Sequence, residues 1–86
     1  MTETRSALVV DDERDIRELL VLTLGRMGLR TDTAANLGDA RRLLAHEHYH
    51  LCLTDMRLPD GSGLDLIAEI AQKHPDTPVA MITAYG

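Results

Sequence analysis

Three short, continuously apolar runs, each followed by polar residues, constrain the fold of this 86-residue chain more than any other feature. The runs are residues 7–10, 51–53 and 79–82. Apolar segments of this length fit strands that are buried on both faces, which is the pattern of parallel sheets. A fourth run, residues 29–34, mixes apolar, charged and hydroxyl side chains and fits a partly exposed edge strand.

Helical patterns separate these runs. The first stripe of apolar residues at helical spacing is Ile16, Leu19, Leu20, Thr23, Leu24 and Met27, the second is Leu37, Ala40, Leu43 and Leu44, and the third is Leu64, Ile67, Ala68, Ile70 and Ala71. Each stripe predicts an amphipathic helix with one buried face. The resulting order β-α-β-α-β-α-β predicts a single α/β domain, in which a parallel sheet carries helices on both faces through right-handed crossovers.

Composition argues against several classes of protein. The formal net charge of −5 is unlike a DNA-binding surface, so we expect no nucleic-acid binding by this segment. No apolar run approaches the roughly 20 residues that a membrane span requires. Residues 1–6 lack the pattern of a secretory signal, and the single cysteine, Cys52, excludes an internal disulfide. We therefore expect a cytoplasmic protein without membrane contact.

Polar residues stand at the carboxyl ends of three predicted strands. Asp11 and Asp12 follow the first strand, Asp55 follows the third, and Thr83 follows the fourth. Ligands of open parallel sheets bind outside these ends, so the three carboxylates would share a pocket if the first and third strands are neighbours. Such carboxylates repel one another unless a cation neutralises them, and Mg²⁺ prefers oxygen ligands and commonly bridges to phosphate. A single Asp in these positions would also fit a helix cap or a turn, but the combination favours a magnesium and phosphoryl site.

Three stretches of sequence resemble the receiver domain of two-component response regulators. They are VVDDE at 9–13, LTDMRLPDGSG at 53–63 and VAMITA at 79–84. The resemblance implies a flavodoxin-like, doubly wound parallel sheet with strand order 2-1-3-4. It also implies that Asp55 accepts a phosphoryl group from a sensor histidine kinase.

The same resemblance assigns roles to the residues around Asp55. Asp11, Asp12 and the backbone carbonyl of Arg57 would hold Mg²⁺ together with Asp55. Thr83 would be the switch hydroxyl that turns towards the phosphoryl group. Pro59 and Gly61 would shape the loop after the phosphorylation site, with Gly61 in a conformation of positive φ. Asp60, between them, is predicted to be a solvated turn residue.

The segments TDMRLPDGSGL and TAYG are similar to the NtrC class of transcriptional activators, and within that class to regulators of type IV pilus genes. In this class a receiver precedes an ATPase domain and a helix-turn-helix DNA-binding domain, which this chain lacks. A complete receiver also has a fourth helix, a fifth strand bearing a lysine, and a fifth helix. We therefore expect residues 1–86 to be a partial receiver domain that forms homo-oligomers through the exposed edge of its fourth strand.

Two alternatives stay open. One is a self-associating fragment that does not switch, because the lysine that would contact the phosphoryl group is absent. The other is an aspartate-nucleophile phosphatase, a class with a second Asp two residues after the nucleophile, where this chain has Glu13 after Asp11. The favoured prediction is a phosphoacceptor signalling domain that is not an enzyme.

Overall fold

The computed structural model describes residues 4–82, in which six strands and three helices follow one another along the chain. The elements are β1 (Arg5–Val10), α1 (Arg14–Arg26), β2 (Leu29–Ala34), α2 (Leu37–His46), β3 (Leu51–Asp55), β4 (Arg57–Leu58), β5 (Gly61–Ser62), α3 (Gly63–Lys73) and β6 (Val79–Ile82). No helix in this part of the chain is long and apolar enough to cross a membrane.

The main sheet has the strand order β2-β1-β3-β6, with every pair parallel. Because β6 is the fourth strand of this sheet, the predicted α/β fold and its 2-1-3-4 order are confirmed. The pairing of Val10 with Thr54 sets the carboxyl ends of β1 and β3 level with each other. This register brings the residues that follow β1 beside the last residue of β3, where the sequence predicts the site.

A small antiparallel hairpin, formed by β4 and β5, was not predicted. Arg57 pairs with Ser62, and Leu58 pairs with Gly61, so that Pro59 and Asp60 form its tip. Strands of two residues are too short to show any periodicity in the sequence. The hairpin leaves the sheet directly after Asp55 and ends where α3 begins.

The side chains of β1 alternate between two apolar cores. Leu8 and Val10 face the larger core, which α2 and α3 cover, while Ala7 and Val9 face α1. All four residues are fully buried, as expected for a strand with helices on both faces. Cys52 packs in the larger core, and burial raises the pKa of its thiol to about 12.

Two of the predicted helix stripes were partly wrong. In α1, Leu24 and Leu20 pack against the sheet, but Leu19 is 59% exposed and Met27, which follows the helix, is 69% exposed. In α3, the inward residues are Gly63, Leu66 and Ile70, whereas the predicted Leu64 is 57% exposed. The predicted Ala68 and Ala71 of α3 are also exposed. Gly63 is pressed against the backbone of β3, and this contact sets the rotation of α3.

Candidate phosphorylation and metal site

Three carboxylates meet at the carboxyl edge of the sheet. Asp11 follows β1 and is only 2% exposed, Asp12 is exposed at the rim, and Asp55 ends β3 in a half-buried position. Each contributes one oxygen, and the three oxygens lie within 4.8 Å of one another. The structure thus brings together the three acidic residues that the sequence pointed to.

The pKa of Asp11 shows that the three neighbouring negative charges are unfavourable without a cation. Burial raises the pKa of its carboxyl above the ordinary value, and the neighbouring charges of Asp55 and Asp12 raise it further. A hydrogen bond from the backbone N–H of Glu13 to Asp11 Oδ1, 2.8 Å long, and the charge of Arg17 act in the opposite direction. A hard divalent cation with oxygen ligands fits this donor set, because it would neutralise the three negative charges.

The backbone around Asp11 is fixed by hydrogen bonds to neighbouring elements. Its N–H donates to the carbonyl of Ala34 on β2 at 3.0 Å, and Arg17 Nη1 donates to its carbonyl at 2.8 Å. The alternative role as a cap of α1 does not apply, since the N-cap residue is Glu13 and it makes no side-chain capping bond. Asp11 and Asp12 therefore lie in a short loop that presents their side chains at the sheet edge.

Asp55 is positioned by the backbone that follows it. The N–H of Met56 donates to Asp55 Oδ1 at 2.8 Å, and the hydroxyl of Thr54 donates to the Asp55 carbonyl at 3.0 Å. The N–H of Gly63 donates to the Met56 carbonyl at 2.7 Å and closes the loop. These bonds fix the backbone and one carboxylate oxygen of Asp55 at the edge of the sheet.

Gly63 is a residue of the site that the sequence predictions missed. A Cβ at this position would lie 1.9 Å from the backbone oxygen of Asp55, so only glycine permits the close approach of α3 to β3. The two glycines that flank Ser62 were the available signal. The resemblance implies a role for Gly61 but not for Gly63.

The hairpin after Asp55 packs against the start of α2. Gly61 has φ +153°, and a Cβ there would lie 2.6 Å from Leu37 Cδ1, so the predicted need for glycine with positive φ agrees with the backbone. Pro59 stands at the exposed tip, and the Arg57 side chain is exposed as well.

Asp60 is an exposed turn residue, as predicted, but its carboxylate also binds the start of α2, which was not predicted. Its Oδ1 accepts a hydrogen bond from the N–H of Leu37 at 2.8 Å, and its Oδ2 accepts one from Gly38 at 3.0 Å. These two bonds lower the pKa of its carboxyl. Asp60 therefore caps a helix that begins 23 residues earlier in the chain, a partnership that no local pattern reveals. Thr83, the predicted switch hydroxyl, lies outside the described residues, and its role stays a prediction.

Comparison with known proteins places this geometry in a family. The model of the response regulator receiver domain family matches residues 7–86. The chain is 70% identical over 82 residues to the response regulator protein PilR of Pseudomonas aeruginosa, covering 95% of this chain and 18% of PilR. It is 38% identical over 79 residues to the transcriptional regulator NtrC of Azospirillum brasilense, covering 92% of this chain and 16% of NtrC. The chain thus spans less than a fifth of the length of either relative.

Solved structures agree with the sequence matches. The response regulator TrrA of Thermotoga maritima, in complex with Mg²⁺ and beryllofluoride, is 39% identical with a TM-score of 0.89, covering 95% of this chain and 71% of TrrA. Another structure contains TrrA in complex with the histidine kinase ThkA. The beryllofluoride-activated receiver dimer of NtrC4 is 34% identical with a TM-score of 0.85, covering 94% of this chain and 67% of that one.

Fold, acidic cluster and sequence similarity agree: this chain belongs to the response regulator receiver domain family, and its relatives include PilR and NtrC.

Proposed function

We propose that Asp55 accepts a phosphoryl group from a phosphohistidine of a sensor histidine kinase. The observation that carries the proposal is the convergence of three carboxylate oxygens within 4.8 Å at the carboxyl edge of the sheet. Asp11, Asp12, Asp55 and the backbone carbonyl of Arg57 would hold the Mg²⁺ that the transfer requires. The complexes of TrrA with Mg²⁺ and beryllofluoride, and with a histidine kinase, support this assignment.

The hydrogen bonding of Asp55 suggests which of its oxygens would accept the phosphoryl group. Asp55 Oδ1 is occupied by the N–H of Met56, so Oδ2 is the oxygen that would form the bond to phosphorus as the bond from phosphorus to the histidine nitrogen breaks. Bound Mg²⁺ would neutralise the charge of the carboxylates and of the phosphoryl oxygens. The residues of the site otherwise position the acceptor, and we propose a phosphoacceptor rather than an enzyme that turns over a substrate.

The output is proposed from the relatives. This chain matches a small part of the regulators PilR and NtrC. By analogy with them, phosphorylation of Asp55 would control a transcriptional activator, and Thr83 would be the switch hydroxyl that responds. A cytoplasmic location follows for a domain that takes its phosphoryl group from a kinase and passes the signal to DNA.

Binding of beryllofluoride, an analogue of a phosphoryl group on a carboxylate, tests the site. We expect ¹⁹F NMR to show bound beryllofluoride only when Mg²⁺ is present, and Asp55→Asn and Asp11→Asn to abolish it. Asp76→Asn is the matched control, since Asp76 is exposed and outside the cluster. Bound signal that survives Asp55→Asn would contradict the proposal, and turnover of a phosphomonoester by the chain would favour a phosphatase instead.

We further propose that the 86-residue chain self-associates through β6. Within residues 4–82, β6 pairs with β3 alone; Ala80 is exposed, and the other residues of β6 keep part of their surface exposed. An unpaired apolar strand edge recruits further strands. We expect light scattering at micromolar concentration to show a dimer or larger species. Ala80→Lys, at an exposed position of β6, should lower the fraction of this species. A wild-type chain that is strictly monomeric would contradict this mode of association.

A further inference from the structure

The tip of the hairpin formed by β4 and β5 is attached to the first turn of α2. The two carboxylate oxygens of Asp60 accept hydrogen bonds from the first two backbone N–H groups of the helix, those of Leu37 and Gly38, at 2.8 and 3.0 Å. These N–H groups have no partner within a helix, so a carboxylate from elsewhere in the chain satisfies them. The negative charge of Asp60 also lies at the positive end of the helix dipole.

Apolar contacts reinforce the attachment. Leu58 of β4 is buried in the same core as Leu37, the first residue of α2. Gly61 of β5 lies so close to Leu37 that a Cβ would come within 2.6 Å of its side chain. The hairpin is therefore fixed to α2 on both sides of Asp60.

The base of the same hairpin belongs to the site. Arg57, whose backbone carbonyl is a proposed metal ligand, is the second residue after Asp55 and the first residue of β4. Met56 joins them, with its N–H bonded to Asp55 Oδ1 and its carbonyl bonded to the N–H of Gly63. A shift of the hairpin would therefore move the backbone that presents the Arg57 carbonyl.

We propose that Asp60 is a positioning residue for the metal site: by capping α2 it fixes the hairpin in the position that presents the Arg57 carbonyl to Mg²⁺. This inference rests on the proposed function, since it concerns the affinity of that same site. Linkage makes the effect reciprocal, so that bound Mg²⁺ strengthens the bonds between Asp60 and α2. The start of α2 thereby senses the state of the phosphorylation site.

Calorimetric titration of Mg²⁺ into the chain and its variants tests the proposal. We expect Asp60→Ala to weaken Mg²⁺ binding on the order of tenfold, which is the lower end of the loss when an outer-shell partner of a metal site is removed. Asp60→Asn keeps one oxygen acceptor and should fall between Asp60→Ala and the wild type. If only the lost charge mattered, Asp60→Ala and Asp60→Asn would lower the affinity for Mg²⁺ equally. A smaller loss in Asp60→Asn therefore shows that the hydrogen bonds that position the hairpin matter.

Asn36→Ala is the matched control for the stability of α2. Asn36 Oδ1 accepts from the N–H of Asp39 at 2.7 Å and caps the same helix, and the side-chain hydrogen bonds of Asn36 within residues 4–82 go to Asp39 and not to the hairpin. We expect this variant to bind Mg²⁺ as tightly as the wild type. In NMR spectra, the amide signals of Leu37 and Gly38 should shift when Mg²⁺ binds the wild type and should not respond in Asp60→Ala.

The outcomes are distinct. Wild-type affinity in Asp60→Ala would overturn this inference and leave the proposed function intact. An equal loss in Asn36→Ala would also overturn it, because general weakening of α2 would then explain the effect. A wild-type chain that binds no Mg²⁺ would contradict the proposed function, and with it this inference.

Discussion

Neutralising Asp55 should stabilise the metal-free chain. The oxygens of Asp55 and Asp11 lie within 4.8 Å, a separation at which two unit charges repel by about 1 kcal/mol in water and about 3.5 kcal/mol at an effective dielectric constant of about 20. Asp11 is buried and Asp55 is half-buried, so solvent screens the pair in part. We expect Asp55→Asn to raise the free energy of unfolding by about 1–2 kcal/mol at pH 7, while the amide oxygen keeps the bond from Met56.

Urea unfolding in EDTA, followed by circular dichroism, measures this difference. Saturating Mg²⁺ should reverse the order, because it binds the folded wild type and not the variant. The exposed Asp76→Asn removes the same charge away from the cluster and should change the free energy by less than about 0.5 kcal/mol. An Asp55→Asn chain that is equally or less stable than the wild type in EDTA would refute the repulsion on which the metal site is argued.

Other predictions concern pH and packing. Folding raises the pKa of Asp11 above its ordinary value of 3.8. The protonated carboxyl therefore stabilises the fold below pH 3.8, and this stabilisation is lost as the pH rises through the pKa of the folded state. Asp11→Asn should remove this pH dependence of the free energy of unfolding, measured by urea titration in EDTA. Gly63→Ala should cost about 1–3 kcal/mol by overpacking, and a variant with unchanged stability would contradict the close approach to β3. Leu66→Ala, in the fully buried face of α3, should cost about 2–5 kcal/mol in the same assay. Tyr49→Phe removes a hydroxyl that donates to Asp32 Oδ2 at 2.6 Å and should cost about 1 kcal/mol.

The sheet and the acidic cluster were predictable because their signals are local. Strands buried on both faces must be apolar throughout, as residues 7–10 are, and polar residues directly after them must lie at the sheet edge. The register that joins Asp11 to Asp55 follows once β1 and β3 are neighbours. The edge strand β2 was predicted with its observed bounds, Leu29–Ala34, because its mixed composition is typical of a half-covered strand.

The parts that were missed depend on contacts distant in sequence. The apolar spacing of α3 permits several rotations of the helix, and the contact of Gly63 with the Asp55 backbone selects the one in which Leu64 faces outwards. The capping of α2 by Asp60 joins residues 22 and 23 positions apart, so no local motif contains it. The segment after Asp55 thus determines both the rotation of α3 and the capping of α2. Its strands have only two residues each, so the sequence shows no periodic pattern there.

The identity of the phosphorylated residue tests the central claim most directly. We expect acetyl phosphate with Mg²⁺ to add one phosphoryl group to the chain, located at Asp55 by tandem mass spectrometry of peptides prepared at acid pH. EDTA and Asp55→Asn should each abolish the adduct, and Asp76→Asn should retain it. A phosphoryl group on another residue, or one that persists in Asp55→Asn, would contradict the assignment of Asp55 as the acceptor.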